Sequence, residues 1–130
     1  MVLAFYGCEQ TESKLRALLK TRTGGTSPAN VLLRLTAIGF IAELPDASVE
    51  YLLREGKKGH PCIVHVWTPP LSHWRIECIH AVVVTDMTDA AVWVNDPILS
   101  SGPLSIPTGE FLRAWATAGY VTLLITPVEK

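Results

Sequence analysis

Two apolar runs carry the residues of this chain whose types and spacing could do chemistry. They are His80-Ala81-Val82-Val83-Val84-Thr85 and Val92-Trp93-Val94-Asn95-Asp96-Pro97. Five turn-prone or small residues, Asp86 to Ala90, separate them, so the runs are predicted to form a hairpin. Closure about Thr88 sets Thr85 opposite Ala91, Val83 opposite Trp93 and His80 opposite Asp96. Directly opposed residues hold their Cβ atoms about 4.5–5.5 Å apart on one face. Val82 with Val94, and Val84 with Val92, continue that face as an apolar floor. A carboxylate in this position accepts from one imidazole nitrogen and leaves the other free, as an oriented general base requires. A histidine–aspartate hydrogen bond at a strand end is as often structural, and the pair alone leaves both readings open.

Two other groupings bear on function. His60, Cys62, His65, His73, Cys78 and His80 supply borderline or soft ligands within a short stretch. Zinc needs four converging ligands, and strand alternation sends Cys62 and His65 to opposite faces, so only part of the set can meet. The expectation is structural residues, with no metal and no cofactor. Trp67, Pro69, Pro70, Leu71 and Trp74 form an aromatic, proline-containing loop beside the hairpin. It reads either as a rigid connector or as the wall of a peptide groove or a self-association surface. Three cysteines, Cys8, Cys62 and Cys78, are odd in number and do not suggest a closed disulfide framework.

The elements that must position these residues follow from period and punctuation. Met1 to Tyr6 closed by Gly7 reads as the last turns of a helix entered without an N-cap. Thr11 can cap a helix carrying Leu15, Leu18 and Leu19, with Gly24-Gly25 as its stop. Ser27-Pro28 opens a second amphipathic segment through Val31, Leu32, Leu35 and Ile38, ended by Gly39. Phe40 to Leu44 is extended, and Asp46 is the expected start of a helix through Val49, Leu52 and Leu53 to Gly56. Cys62 to Trp67, Ile79 to Thr85 and Ala91 to Asn95 are β-branched runs and read as strands. Thr108 is expected to cap a short helix with Phe111, Leu112 and Trp115, before a last strand from Tyr120 to Ile125. Helices first and strands later predict an α+β fold with an antiparallel sheet.

Composition narrows the function. At 130 residues and 48% hydrophobic, the chain can bury a real core, which excludes disorder. Eleven basic against twelve acidic side chains, with no basic stripe, argue against nucleic acid as a partner. No apolar run is long enough for a membrane span and no signal-like stretch opens the chain, so the sequence as written predicts no membrane insertion and a cytoplasmic location, with secretion of a longer form left open.

The motifs also occur in a telling order. Met1-Val2-Leu3-Ala4-Phe5-Tyr6-Gly7 comes first, then Gly25-Thr26-Ser27-Pro28 with Leu32, Leu35 and Gly39-Phe40. Gly59-His60-Pro61-Cys62-Ile63-Val64, the His80 strand, Asn95-Asp96-Pro97, and Glu110-Phe111-Leu112 with Trp115 complete the series. This order resembles the papain-like cysteine peptidases of the bacteriocin-processing (double-glycine leader) family and their stand-alone relatives, over nearly the whole chain. The resemblance implies one papain-like peptidase domain over residues 1–130, His80 as catalytic histidine, Asp96 as its orienting acid, and a peptide or leader peptide as substrate. It also implies that the nucleophilic cysteine and an oxyanion-hole glutamine precede Met1. The expectation is therefore an N-terminally incomplete, catalytically silent domain, because covalent acyl transfer needs the thiolate. Cys8 follows the helix stop, at the wrong end to be activated. A shortened central helix would leave Met1, Leu3, Phe5 and the Trp67–Trp74 loop uncovered, which suggests a homodimer. A non-catalytic peptide-binding or self-associating module, and a small metal-dependent enzyme, are the alternatives.

Overall fold

A computed structural model describes residues 1–22, 27–97 and 102–128. It falls into two compact units, Met1–Leu44 with Leu123–Lys130, and Pro45–Thr122.

The first unit holds most of the helices. Helix α1, Val2–Phe5, has no side-chain cap at Met1 and ends at Gly7, whose φ of +82° is the left-handed conformation that glycine adopts without a Cβ clash. Thr11 caps α2, Glu12–Leu19, by accepting from the Lys14 N–H. That helix stops on Lys20, itself left-handed at φ +53°, and the expected Gly24-Gly25 stop lies outside the described residues, as does Gly25-Thr26. Helix α3, Pro28–Arg34, places proline in its first turn after Ser27, and a 3-10 turn, Leu35–Ile38, ends on Gly39 at φ +87°. Strand β1, Phe40–Glu43, pairs antiparallel with the terminal strand, numbered β6, Thr122–Pro127. The expected bounds of that last strand are two residues early.

The second unit is an antiparallel sheet with two packed helices. Helix α4, Val49–Lys57, starts three residues after the expected Asp46 because Ser48 supplies the cap, its Oγ accepting from the Tyr51 N–H. Strands β2, Cys62–Trp67, β3, Ile79–Met87, β4, Ala91–Asn95, and β5, Leu104–Pro107, pair in that order. Strand β5 has no counterpart in the sequence reading. Helix α5, Thr108–Thr117, takes Pro107 rather than Thr108 as its N-cap, and the Thr108 hydroxyl instead donates to the Thr88 carbonyl. Phe111, Ala114 and Trp115 form its buried stripe at helical spacing, and α5 packs on β2. The Trp115 indole N–H finds the Thr122 hydroxyl at 3.3 Å, so this largest core side chain leaves no polar atom stranded.

The hairpin register differs from the expected one. Val83 faces Asn95 and Val84 faces Val94, whereas nearer the turn Asp86 faces Trp93 and Met87 faces Val92. Thr85 is the extra residue of a β-bulge, and β3 runs on to Met87, leaving a turn of Thr88 to Ala90. On the His80 side of the bulge the ladder has slipped by two residues, which preserves the facing of every side chain; a slip of one would have reversed it. The apolar floor therefore survives with different partners. Val64, Val66, Val82, Val84, Val92 and Val94 are all buried.

Candidate active site

Asp96 follows directly on β4, and its side chain is completely buried. Extending the Val83–Asn95 register by one residue sets Asp96 beside Val82, so His80, two positions along β3, is its diagonal neighbour. Diagonal neighbours on one face stand about 7–8 Å apart at Cα, within reach of an imidazole. His80 Nε2 closes that gap to 2.7 Å from Asp96 Oδ1. A carboxylate only accepts, so Nε2 carries the hydrogen and Nδ1 is the nitrogen left with a lone pair in the neutral ring. Among the described residues Nδ1 has no hydrogen-bond partner.

Two further side chains hold the same carboxylate, and sequence reasoning gave neither this role. His73 Nε2 lies 3.1 Å from Asp96 Oδ2, and the Trp74 indole N–H donates to that oxygen at 2.9 Å. The Trp74 ring also covers His80, with ring centroids 4.5 Å apart. His73 appears in the sequence as a possible metal ligand and Trp74 as part of an aromatic loop. Their convergence on a residue more than twenty positions away leaves no local pattern. A buried carboxylate without donors would be costly, and three N–H groups meet that need here.

The remaining soft ligands go elsewhere. His60 Nδ1 stands 3.5 Å from the buried Glu55 carboxylate, which also meets Lys58 Nζ at 3.4 Å. Cys62 is buried, and burial together with the nearby Glu55 charge pushes its thiol up to about 12. His65 lies on the opposite face of β2, and partial burial holds its imidazole below the ordinary value. Among the described residues no group of three or more His, Cys, Asp or Glu side chains is placed to hold a metal ion. All three cysteines are free thiols. Cys8 lies beyond the C-terminal end of α1 and Cys78 in the extended segment before β3, so neither opens a helix that could activate it. Among the described residues no helix is long and apolar enough to cross a membrane.

In the first unit, an open cleft of about 450 Å3 is lined by Met1, Leu3, Ala4, Cys8 and Leu15, among others. Met1 and Phe5 are 56% and 62% exposed, whereas Leu3, expected on an exposed rim, is buried.

Comparison with known proteins gives one consistent result. The model of the peptidase C39 family matches residues 1–130. The pediocin PA-1 transport/processing ATP-binding protein PedD of Pediococcus acidilactici is 25% identical over the whole chain, which spans 17% of that relative's length. The peptidase domain of Streptococcus ComA, a bifunctional ABC transporter involved in a quorum-sensing pathway, superposes with a TM-score of 0.71 at 23% identity, over 99% of this chain and 85% of that one. A double-glycine-motif protease from an AMS/PCAT transporter, solved with its leader peptide, gives 0.72 at 26% identity, over 98% and 79%. A protein described as a C39-like peptidase, from Bacillus anthracis, gives 0.75 at 15% identity, over 99% and 86%. The α+β fold of this chain is that of these peptidases.

Proposed function

The chain belongs to the peptidase C39 family, and we propose that residues 1–130 carry the base half of its cysteine-peptidase site, with His80 as general base and acid and Asp96 as its orienting acid. The observation that supports this reading is the His80 Nε2–Asp96 Oδ1 contact at 2.7 Å, which leaves Nδ1 for chemistry. In the proposed reaction a thiolate attacks the scissile carbonyl, whose π electrons move to oxygen. As the carbonyl re-forms, the C–N bond breaks and the His80 imidazolium gives its Nδ1 proton to the leaving amine. Water then adds to the thioester while Nδ1 takes its proton, and the C–S bond breaks to release the acid and restore the thiolate beside the imidazolium. Asp96 keeps Nε2–H as its partner throughout and stabilises the imidazolium.

The thiolate is none of Cys8, Cys62 or Cys78. Cys62 stays protonated, and it lies four strand residues, about 13 Å, from the Val66 position that faces His80. Residues 1–130 alone are therefore silent, and the substrate class is a leader peptide of the kind bound by the double-glycine-motif protease. The test fuses a Gln-x5-Cys-Gly segment ahead of Met1 and follows cleavage after a double-glycine leader. Turnover that falls by about 10⁴-fold or more in His80→Ala supports the assignment. Turnover indifferent to His80, or cleavage by the unfused chain that Cys8→Ser abolishes, overturns it.

A second reading, self-association through the first unit, draws on the exposed Met1 and Phe5 beside the cleft. Sedimentation at micromolar concentration tests it: a mass that rises with concentration and falls back in Phe5→Ser supports a homodimer, and a concentration-independent monomer removes it.

A further inference from the structure

Residues 68–78, which join β2 to β3, are fastened at several points. The buried Thr68 hydroxyl donates to the Ile76 carbonyl and accepts from the Cys78 N–H at 2.9 Å, while the Thr68 N–H donates to the Cys78 carbonyl at 3.0 Å. Leu71 is buried in the core, and the next residue, Ser72, donates its N–H to Glu110 Oε1 on α5 at 3.2 Å. A loop of this length would ordinarily be mobile, and here its own side chains and α5 fix it. What it presents to the site is the pair His73 and Trp74.

We propose that His73 and Trp74 are positioning residues that lock His80 into the tautomer and ring orientation its catalytic role needs; this rests on the peptidase reading above. Both N–H groups are on Asp96 Oδ2, at 3.1 and 2.9 Å, so that oxygen is filled and Oδ1 is committed to His80 Nε2. A carboxylate oxygen has about two acceptor sites, and two donors on Oδ2 resist rotation of the group. The Trp74 ring, 4.5 Å from the His80 ring, blocks the half-turn that would put Cε1 in the place of Nε2 and Cδ2 in the place of Nδ1. A flipped ring would offer a carbon where a thiol needs Nδ1, and a rotated carboxylate would release the Nε2–H that keeps Nδ1 unprotonated. The loop thus does for His80 what outer partners do for a metal-bound histidine, fixing which nitrogen is protonated.

The test reads His80 directly, by the side-chain ¹⁵N–¹H correlation of residues 1–130 with the ring neutral, assigned with His80→Gln. The parent chain shows the Nε2–H tautomer with a slowly exchanging proton. In the double variant His73→Leu/Trp74→Phe that proton exchanges about tenfold faster or more, the scale of one lost charge-assisted hydrogen bond, and the Nδ1–H tautomer appears. Restoring a donor with His73→Gln on the Trp74→Phe background returns most of the protection. Should the double variant not fold, Trp74→Phe alone, which keeps a ring over His80, shows a smaller acceleration. An unchanged His80 signal in the folded variants, or a parent ring held as Nδ1–H, overturns the proposal. Neither substrate nor thiol is involved, so failure here is separable from failure of the peptidase assignment, which the fused segment tests.

Discussion

His80 and Asp96 meet at 2.7 Å although neither faces the other across the ladder. His80 is opposed by Val66 on β2, and Asp96 comes beside Val82, so the hydrogen bond runs diagonally across one face of the sheet. A diagonal contact spans a longer gap than a direct one and fixes the ring less by itself. The two further donors on Asp96, from His73 and Trp74, compensate for that looseness.

Asp96→Asn should separate orientation from charge. Three N–H groups point at the carboxylate, and an asparagine can offer an oxygen on one side only, so at least one donor meets an amide N–H. The expected cost is about 1–3 kcal/mol in urea unfolding. In the form carrying the nucleophile segment, kcat should drop by about 10⁴-fold, as it does when a catalytic histidine adopts the wrong tautomer. A variant as stable and as active as the parent would remove Asp96 from the site.

Local chemistry made much of this arrangement legible. Thr11 by capping, Pro28 by its place at the first helical position, and Gly7 and Gly39 by left-handed geometry mark helix ends, and the β-branched runs give β2 and β4 their observed bounds. The register was not legible, because a bulge at Thr85 is a property of the ladder and not of either strand. The facing of His80 and Asp96 tolerated that error only because the slip was even. Strand β5 is four residues long and ends in Pro107, so its pattern matches a loop as well as it matches an edge strand. His73 and Trp74 escaped for a different reason: their loop has no period, and only the folded chain brings them to Asp96.

Cys62 should be inert to thiol reagents in the folded chain while Cys8 and Cys78, both partly accessible, react. Its alkaline linkage has a definite sign. The folded thiol is raised to about 12 from 9.0, so above about pH 9 the unfolded chain loses a proton that the folded chain keeps. Stability from this group is complete below pH 9 and declines toward pH 12, with a slope of about 1.4 kcal/mol per pH unit. Cys62→Ala should remove one proton's worth of that alkaline slope in urea melts. An equal slope in parent and variant would contradict the assignment.

His65 should act in the opposite pH range. Burial lowers its folded value below the ordinary 6.5, so as pH falls through 6.5 the unfolded chain takes up a proton first. Unfolded protein then binds more protons than folded, and stability falls with acidification until the folded ring also titrates. His65→Gln should flatten the melting temperature between neutral and mildly acid pH relative to the parent. A parent whose stability is level through that window would contradict the burial argument.

Thr68→Val offers the sharpest test of how the site is held, since it keeps shape and removes only a hydroxyl. Thr68 is fully buried, and its Oγ1 serves both the Ile76 carbonyl and the Cys78 N–H, tying the β2 end of the loop that carries His73 and Trp74 to its β3 end. Valine leaves that part-buried acceptor and donor without their side-chain partner. Unfilled buried polar groups cost about 1–3 kcal/mol each, so the expected loss of stability is about 2–4 kcal/mol after some relaxation. The loop should loosen before the sheet does. Amide exchange at residues 72–76 should accelerate more than at Val64 or Val82, which sit in paired strands. Uniform acceleration across loop and sheet would mean that Thr68 stabilises the fold as a whole and has no particular hold on the site.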